Sequence, residues 1–540
     1  MITTSREDDA DRTWARGDRA VRLSGPIGYA AVLIAIGALL TLWSIVTPPL
    51  STVDEPVHFN SVLRLMQGGG WPPPQTAPVL EGTFVALQEA GNPFKGTPAL
   101  DVLPVAEDRS VVTQMTGTAL DGATGVDWMT QHPPTYYGLT AGILTVIGAA
   151  DWRWDQLAAG ARVVSVLFAL GGAAFALAAV RRVTSWTAAS IIGGLAILTV
   201  PQFFNVLSLV TNDSLTLLAC SGMIYFLVRA LTTRDPSWRS GVFDAIGAGA
   251  FLGLGLLTKG TMLTAIPAAL IILLVAGLRT DGSWMRRLTP AAVAMASAFA
   301  IGGWWWLRNI LVFGEIQSSN SGSGREDEAF DGYSLAGFAR LVVWQLARTF
   351  WGSIRPNLRL PDWAIVLMGV VFLAALVFVL IRSKSRLVVA LIGGVPLLTA
   401  GLITFHAWEV FWNSGRIVGI QGRYFFPAIT FYMLVIALAW QLLTAPRRRA
   451  TRMVAAATTG VIAVSIGLWG TAVTFRRRWG SVEGGWDAMA SAGPFSSIAV
   501  ACLVVTAAIA AITAIVCAAV ASAHLPEDVT GAASRVRQRL

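Results

Sequence analysis

Asp54 and Glu55 stand side by side just after the first long apolar run, and His58 follows one helical turn later. A short helix starting there presents carboxylate and imidazole on one face. The string also has a purely structural reading. Thr52-x-x-Glu55 is a capping box, acids suit the positive end of a helix, and Pro56 suits its first turn. Further along, Gln131-His132-Pro133-Pro134-Thr135-Tyr136-Tyr137 breaks the chain with two prolines and opens another helix, or marks a plain turn. Asn212-Asp213 lies between two apolar runs, where it either caps a helix or carries chemistry. Lys259 sits in a hairpin between very apolar runs. A lysine at the bilayer centre costs about 3 kcal/mol, so it either snorkels outward or has an anionic partner. Arg308-Asn309 and Gln421-Gly422-Arg423-Tyr424 complete the set, each arginine being a phosphate ligand or an interfacial anchor.

Taken together, these residue types suit transfer of a group from a membrane-embedded phosphate ester. Cations must surround the phosphate, because negative charge grows on it as the bond breaks, and a carboxylate must accept the proton of the attacking hydroxyl. Arginine meets the phosphate with a fixed fork of donors. A carboxylate at the membrane boundary has its pKa raised by partial desolvation.

The elements that position these groups are membrane helices. The 540 residues are 54% hydrophobic and 13% charged, with mean hydropathy +0.61, a balance that makes the bilayer the solvent. Apolar runs of the roughly 20 residues that cross a bilayer recur throughout. We read twelve: 25–46, 157–180, 187–206, 214–231, 243–257, 262–278, 288–307, 362–381, 387–405, 427–443, 453–473 and 495–520. The stretches 133–150 and 336–354 are read as interfacial helices. The fold class is therefore an all-α polytopic membrane protein. Its parts are a cytoplasmic tail (1–24), a membrane domain (25–522) with large outer loops at 47–156 and 308–361, and a second cytoplasmic tail (523–540).

Loop arginines set the orientation: Arg181 and Arg182, Arg234, Arg239, Arg286, Arg287, Arg382 to Arg386 and Arg447 to Arg449 fall on one side, with both termini cytoplasmic. Arg476 to Arg478 are the exception. The candidate residues then all gather at the opposite, outer boundary. The net charge of +9 does not indicate nucleic acid, because 37 of the 40 basic residues are arginines scattered over loops. Cys220, Cys502 and Cys517 lie in apolar runs without metal or disulfide spacing. Thr258-Lys259-Gly260-Thr261 lacks the order of a nucleotide-binding phosphate loop. Gly249 and Gly253 form a small-xxx-small packing pair. Tryptophans such as Trp152, Trp154, Trp304 to Trp306 and Trp408 read as an interfacial belt.

Val53-Asp54-Glu55-Pro56-Val57-His58-Phe59 and His132-Pro133-Pro134 resemble the first-loop and His-Pro-Pro strings of protein O-mannosyltransferases, members of the GT-C superfamily of membrane glycosyltransferases. The whole set is more similar to an uncharacterised bacterial family of GT-C-like membrane proteins, catalogued as a domain of unknown function. The strings that carry this likeness are Asp54-Glu55-Pro56-x-His58-Phe59, His132-Pro133-Pro134-x-Tyr136-Tyr137, Asn212-Asp213, Trp305-x-x-Arg308-Asn309 with Gly314, and Gln421-Gly422-Arg423-Tyr424-x-x-Pro427. The resemblance covers roughly 25–440 and implies a GT-C-like fold with Asp54 as base and Asp213 as the acid of the second outer loop. Pro56 departs from the mannosyltransferase string, so mannose is not carried over. Some members use a divalent cation, but no carboxylate triad for a metal is visible here.

The expected function is transfer, with inversion, of a sugar from a polyprenyl-phosphate donor to a hydroxyl of a glycan, lipid or protein at the outer face of the plasma membrane. Asp54 and Glu55 are the catalytic pair. His58, His132, Tyr136, Asp213, Lys259, Arg308, Asn309, Gln421, Arg423 and Tyr424 bind substrate. The alternative is a transporter or flippase of a lipid-linked saccharide, whose repeated halves and midplane polar sites are not evident. A non-catalytic scaffold for envelope assembly is the third reading.

Overall fold

In the computed structural model the described residues are 4–52, 54–92, 100, 102–115, 125–234, 237–280, 282–317, 334–354, 358–414 and 419–526. They form an all-helical protein whose one sheet among them is a two-stranded hairpin, Ser353–Ile354 with Leu358–Arg359. Among the described residues ten helices are long and apolar enough to cross a bilayer, from Leu23–Val46 to Ser497–Ser522. The helices Asp362–Arg382 and Arg386–Ser414 expose Val366, Leu367, Val370 and Leu397, as expected where lipid rather than water is the neighbour.

Two of the twelve expected spans take a different form. The run at 187–206 is broken at Val200: residues Thr187–Thr199 and Pro201–Leu207 meet at 71°, because Pro201 has no N–H to continue the preceding helix. The run at 243–257 lies in helix Trp238–Leu256, which does not stand out by apolarity since it carries Arg239 and Asp244. It nonetheless crosses, because it joins Thr232, which bonds Arg182 on one face, to Lys259, which bonds Asp213 on the other. Within it, a side chain at Gly249 or Gly253 would strike the backbone of Ala294 or Ala298, so these glycines allow close packing of the next span.

The interior is centred on Trp43, Trp186, Phe203, Phe204 and Phe426, all fully buried. The last helix, Ser497–Ser522, runs along the first, so the motif-free C-terminal part completes the bundle that holds the N-terminal strings. Residues of the large loop form a second core: Val57, Phe59, Val62 and Leu63 of helix Glu55–Met66 pack with Phe84, Tyr136, Tyr137 and Trp154. Buried Asp127 accepts from Asn60 (2.7 Å), Ser61 (2.8 Å) and the Met129 N–H (3.0 Å), tying the loop to that helix. The expected interfacial stretches are the short helix Thr135–Val146, exposing Leu139, Ile143 and Val146, and the 17-residue helix Leu335–Trp351.

Candidate active site

Helix Glu55–Met66 begins one residue after Asp54, which occupies its N-cap position. The Asp54 carboxylate accepts no bond from the helix N–H groups. It pairs instead with the Arg423 guanidinium, Oδ2 to Nη2 at 2.5 Å, with side-chain exposures of 22% and 17%. Burial by itself pushes this carboxyl up, but the charge of Arg423, with His58 and Lys259, brings it below the ordinary carboxylate value. Arg423 lies in the tight turn Gly422–Ala428, which is clamped to helix Leu335–Trp351 by the Gly422 N–H donating to Thr349 at 2.6 Å. A side chain at Gly422 would collide with the Leu346 and Phe350 backbone, so the turn can approach only as glycine.

A second ion pair stands beside the first. Asp213, the first residue of helix Asp213–Thr232, accepts from the Lys259 ammonium at 2.5 Å, with side-chain exposures of 2% and 8%. The Tyr424 ring lies 5.2 Å from the Lys259 nitrogen and 5.8 Å from the Arg423 guanidinium carbon, within cation–π reach of both. His58 and His132 feel the charges of all this cluster. Burial, the largest cause, drives His58 down to about 4 and His132 to about 3, so both are neutral at physiological pH. His58 Nδ1 bonds the Tyr137 hydroxyl at 2.9 Å, Tyr137 stacks on Trp71, and Trp71 donates to the His132 carbonyl at 3.1 Å. Three buried polar atoms here have no protein partner: Arg423 Nε, His132 Nδ1 and Asn212 Nδ2.

The structure thus brings together Asp54, His58, His132, Asp213, Lys259, Arg423 and Tyr424 from strings up to 369 positions apart. Other expected residues serve elsewhere. Glu55, expected beside Asp54 as the second member of the catalytic pair, is 1% exposed and locked by Arg162 Nε and Nη2, each at 2.7 Å, with the Val210 N–H at 3.2 Å. Arg162 also donates to the Ser44, Thr47 and Pro48 carbonyls, so this pair fastens the end of the first span to helix Trp154–Val183. Tyr136, expected to bind substrate, is fully buried, bonding Ser165 at 2.7 Å and the Thr211 N–H at 2.9 Å. Its neighbour Tyr137 is the one that meets His58.

Arg308 is exposed and lies over the Trp305 and Phe313 rings, while Asn309 donates to the Ile316 carbonyl; neither pairs with Asp54 or Asp213. Gln421 caps the Arg423 turn, its carbonyl accepting from the Tyr424 N–H. Arg162 and Trp71 were not anticipated, and Tyr137 stood in the expected string without a role of its own. An arginine inside the apolar run 157–180 was the available signal for the first. Among the described residues no three His, Cys, Asp or Glu side chains converge as metal ligands, and each site carboxylate faces a lysine or an arginine.

Next to the Arg423 turn opens an apolar cavity of about 1460 Å³. Trp344, Ala347 and Phe350 line it from helix Leu335–Trp351, and Phe425 and Ala428 from the turn itself. Among the described residues Arg340 and Asp362 are its only charged lining residues. On the same face as the site lie Val46 and Trp479, joined by a 2.8 Å bond, which puts Arg476 to Arg478 here too, as the expected exception to the arginine pattern.

Residues 131–306, about a third of the chain, match the family model described as dolichyl-phosphate-mannose-protein mannosyltransferase. The matched stretch contains His132, Asp213 and Lys259, in line with the resemblance read from the strings, and excludes Asp54 and Arg423. No curated protein matches. Among solved structures, the chain is similar to ArnT from Cupriavidus metallidurans bound to undecaprenyl phosphate, with 14% identity, 92% of this chain and 77% of that one covered, and a TM-score of 0.46. For apo ArnT the identity is 15%, the coverage 92% and 76%, and the TM-score 0.47. The apo oligosaccharyltransferase of Archaeoglobus fulgidus has 11% identity, covers 87% and 56%, and has a TM-score of 0.40.

Proposed function

We propose that this protein is a membrane glycosyltransferase that moves a sugar from a polyprenyl-phosphate donor to a hydroxyl acceptor at the face bearing Asp54. The observation that carries this reading is that the turn bearing Arg423, the partner of Asp54, also lends Phe425 and Ala428 to the wall of the large apolar cavity. A long isoprenoid needs an apolar cleft and its phosphate needs a cation where the cleft meets polar surroundings. The matched family model, named for a dolichyl-phosphate sugar, supports the same donor class.

In this mechanism the acceptor oxygen attacks the anomeric carbon from the side opposite the phosphate, and the carbon–oxygen bond to phosphate breaks. The acceptor proton passes to Asp54, and the lipid phosphate leaves with the bonding electrons, so configuration inverts. Arg423 and Lys259 stabilise the charge that grows on the leaving phosphate, which therefore needs no proton. Asp213 holds Lys259 in place. Neutral His58, with Nδ1 engaged by Tyr137, offers Nε2 to a substrate hydroxyl, and His132 contributes its unpartnered Nδ1. Glu55 is assigned to the scaffold through Arg162 rather than to the chemistry. An outer-face site has no access to nucleotide sugars, which fits a lipid-linked donor in the plasma membrane with both termini cytoplasmic.

The test is to supply the purified protein in lipid nanodiscs with a panel of labelled polyprenyl-phosphate sugars and membrane extract. A labelled covalent product from one donor is the expected result. Transbilayer movement of the donor without any covalent product would replace this reading by a flippase.

A further inference from the structure

The site holds two carboxylates and two cations, already paired, before any phosphate arrives. With His58 and His132 neutral, the cluster has no net charge. A donor phosphodiester is an anion and must therefore find its cation by taking one from a carboxylate. The two pairs are not equally able to give one up. Asp213–Lys259 is nearly sealed, so separating it leaves a buried uncompensated charge. Asp54–Arg423 is several times more exposed, and the contact is one-pronged. The carboxylate engages Nη2, while Arg423 Nε is buried with no partner. A phosphate can take Nε and the adjacent Nη together, the fork geometry in which guanidinium binds oxyanions best. Phe425 and Ala428, within the same turn, line the apolar cavity, so a phosphate on an isoprenoid lodged there emerges beside Arg423.

Resting on the reading above, we infer that the Asp54–Arg423 pair is a self-masking contact: the donor phosphate takes Arg423 from Asp54, and only then is the Asp54 carboxylate released as a base. In the free protein the guanidinium engages Oδ2 of the carboxylate, and its charge makes the carboxylate a weak base. Once the phosphate holds Arg423, Asp54 is left as an uncompensated anion beside the incoming hydroxyl, and taking its proton restores neutrality. Donor binding therefore precedes activation of the acceptor. A hydroxyl compound or water reaching the empty site meets a weakened base.

Competition for one cation has a counterintuitive consequence that a merely co-operating residue would not produce. Removing the charge of the proposed base should tighten binding of the lipid phosphate while abolishing transfer. The experiment titrates polyprenyl phosphate, without sugar, into the full-length protein in nanodiscs and follows binding by native mass spectrometry. Asp54→Asn should bind about fivefold more tightly than wild type, the size expected when one partly exposed competing ion partner is removed. Asp54→Ser should do the same, so the result does not depend on one variant folding. Arg423→Gln should bind more weakly than wild type. If wild type binds and both Asp54 variants bind equally well or more weakly, the masking inference is overturned and the glycosyltransferase reading stands. If wild type does not bind polyprenyl phosphate at all, both fall.

Discussion

Asp54 and Glu55 are neighbours in sequence, yet they belong to different regions of the molecule. Glu55 turns into the bundle, where Arg162 grips both of its oxygens and three backbone carbonyls occupy the rest of the guanidinium. Asp54 stays at the start of helix Glu55–Met66, meets Arg423 through one oxygen, and keeps about a fifth of its side-chain surface open. The same two residue types thus make a permanent fastening in one place and an exchangeable contact in the other. What separates them is burial and the number of bonds on the arginine. A buried carboxylate–guanidinium pair cannot part without stranding a charge, whereas a partly solvated one can trade partners.

The most severe way to probe the contrast is Asp54→Asn. Loss of a general base should lower transfer by about a thousandfold, while the thermal midpoint in detergent stays near wild type. An active Asp54→Asn protein would move the base elsewhere. Arg162→Ala should act the opposite way, destabilising the fold by about 3–5 kcal/mol, because it leaves Glu55 charged and alone in the interior. Thermal unfolding would register this as a large drop, and a stable but inactive variant would give Glu55 a role in the chemistry after all.

A subtler effect concerns His58 and His132. Their folded values lie at about 4 and about 3, below the roughly 6.5 of an unfolded chain. On acidification the unfolded chain takes up these protons first, so stability should fall as the pH drops from about 6.5 through about 4 and level off near about 3. Unfolding midpoints across this range check the sign, and His58→Gln should flatten part of the slope. Smallest of all, Ala347→Trp narrows the cavity and should raise KM for a long-chain donor by about tenfold, the equivalent of a few methylenes denied burial. A two-isoprene donor, which does not fill the cavity, should be unaffected.

Much of this site was legible in the sequence because topology does the gathering. Once loop arginines assign the faces, Asp54, His58, His132, Asp213, Lys259 and Arg423 fall together without any knowledge of packing. The membrane crossings were legible for the same reason, save the bend at Val200-Pro201, where an apolar run hides the break that delivers the Val210 and Thr211 N–H groups to Glu55 and Tyr136. The division of labour within each string was not legible. Adjacent helical residues differ by about 100° in direction, so one step separates Tyr136, buried against Ser165, from Tyr137, which meets His58. The capping-box pattern at Thr52 and Glu55 was equally consistent with a passive helix start, and nothing local foretold that Asp54 would pair with a residue 369 positions away. Arg308 looked like Arg423 in sequence, each following or preceding aromatic residues, but nothing local revealed that it would lie over Trp305 and Phe313 instead.

The central claim is that Asp54 serves transfer from a lipid phosphate while Glu55 serves the fold. It is tested most directly by one assay of labelled sugar transfer per mole of folded protein, comparing wild type with Asp54→Asn. The account predicts product from wild type and at least a hundredfold less, on the order expected for a lost general base, from the variant. Equal product from both would contradict it.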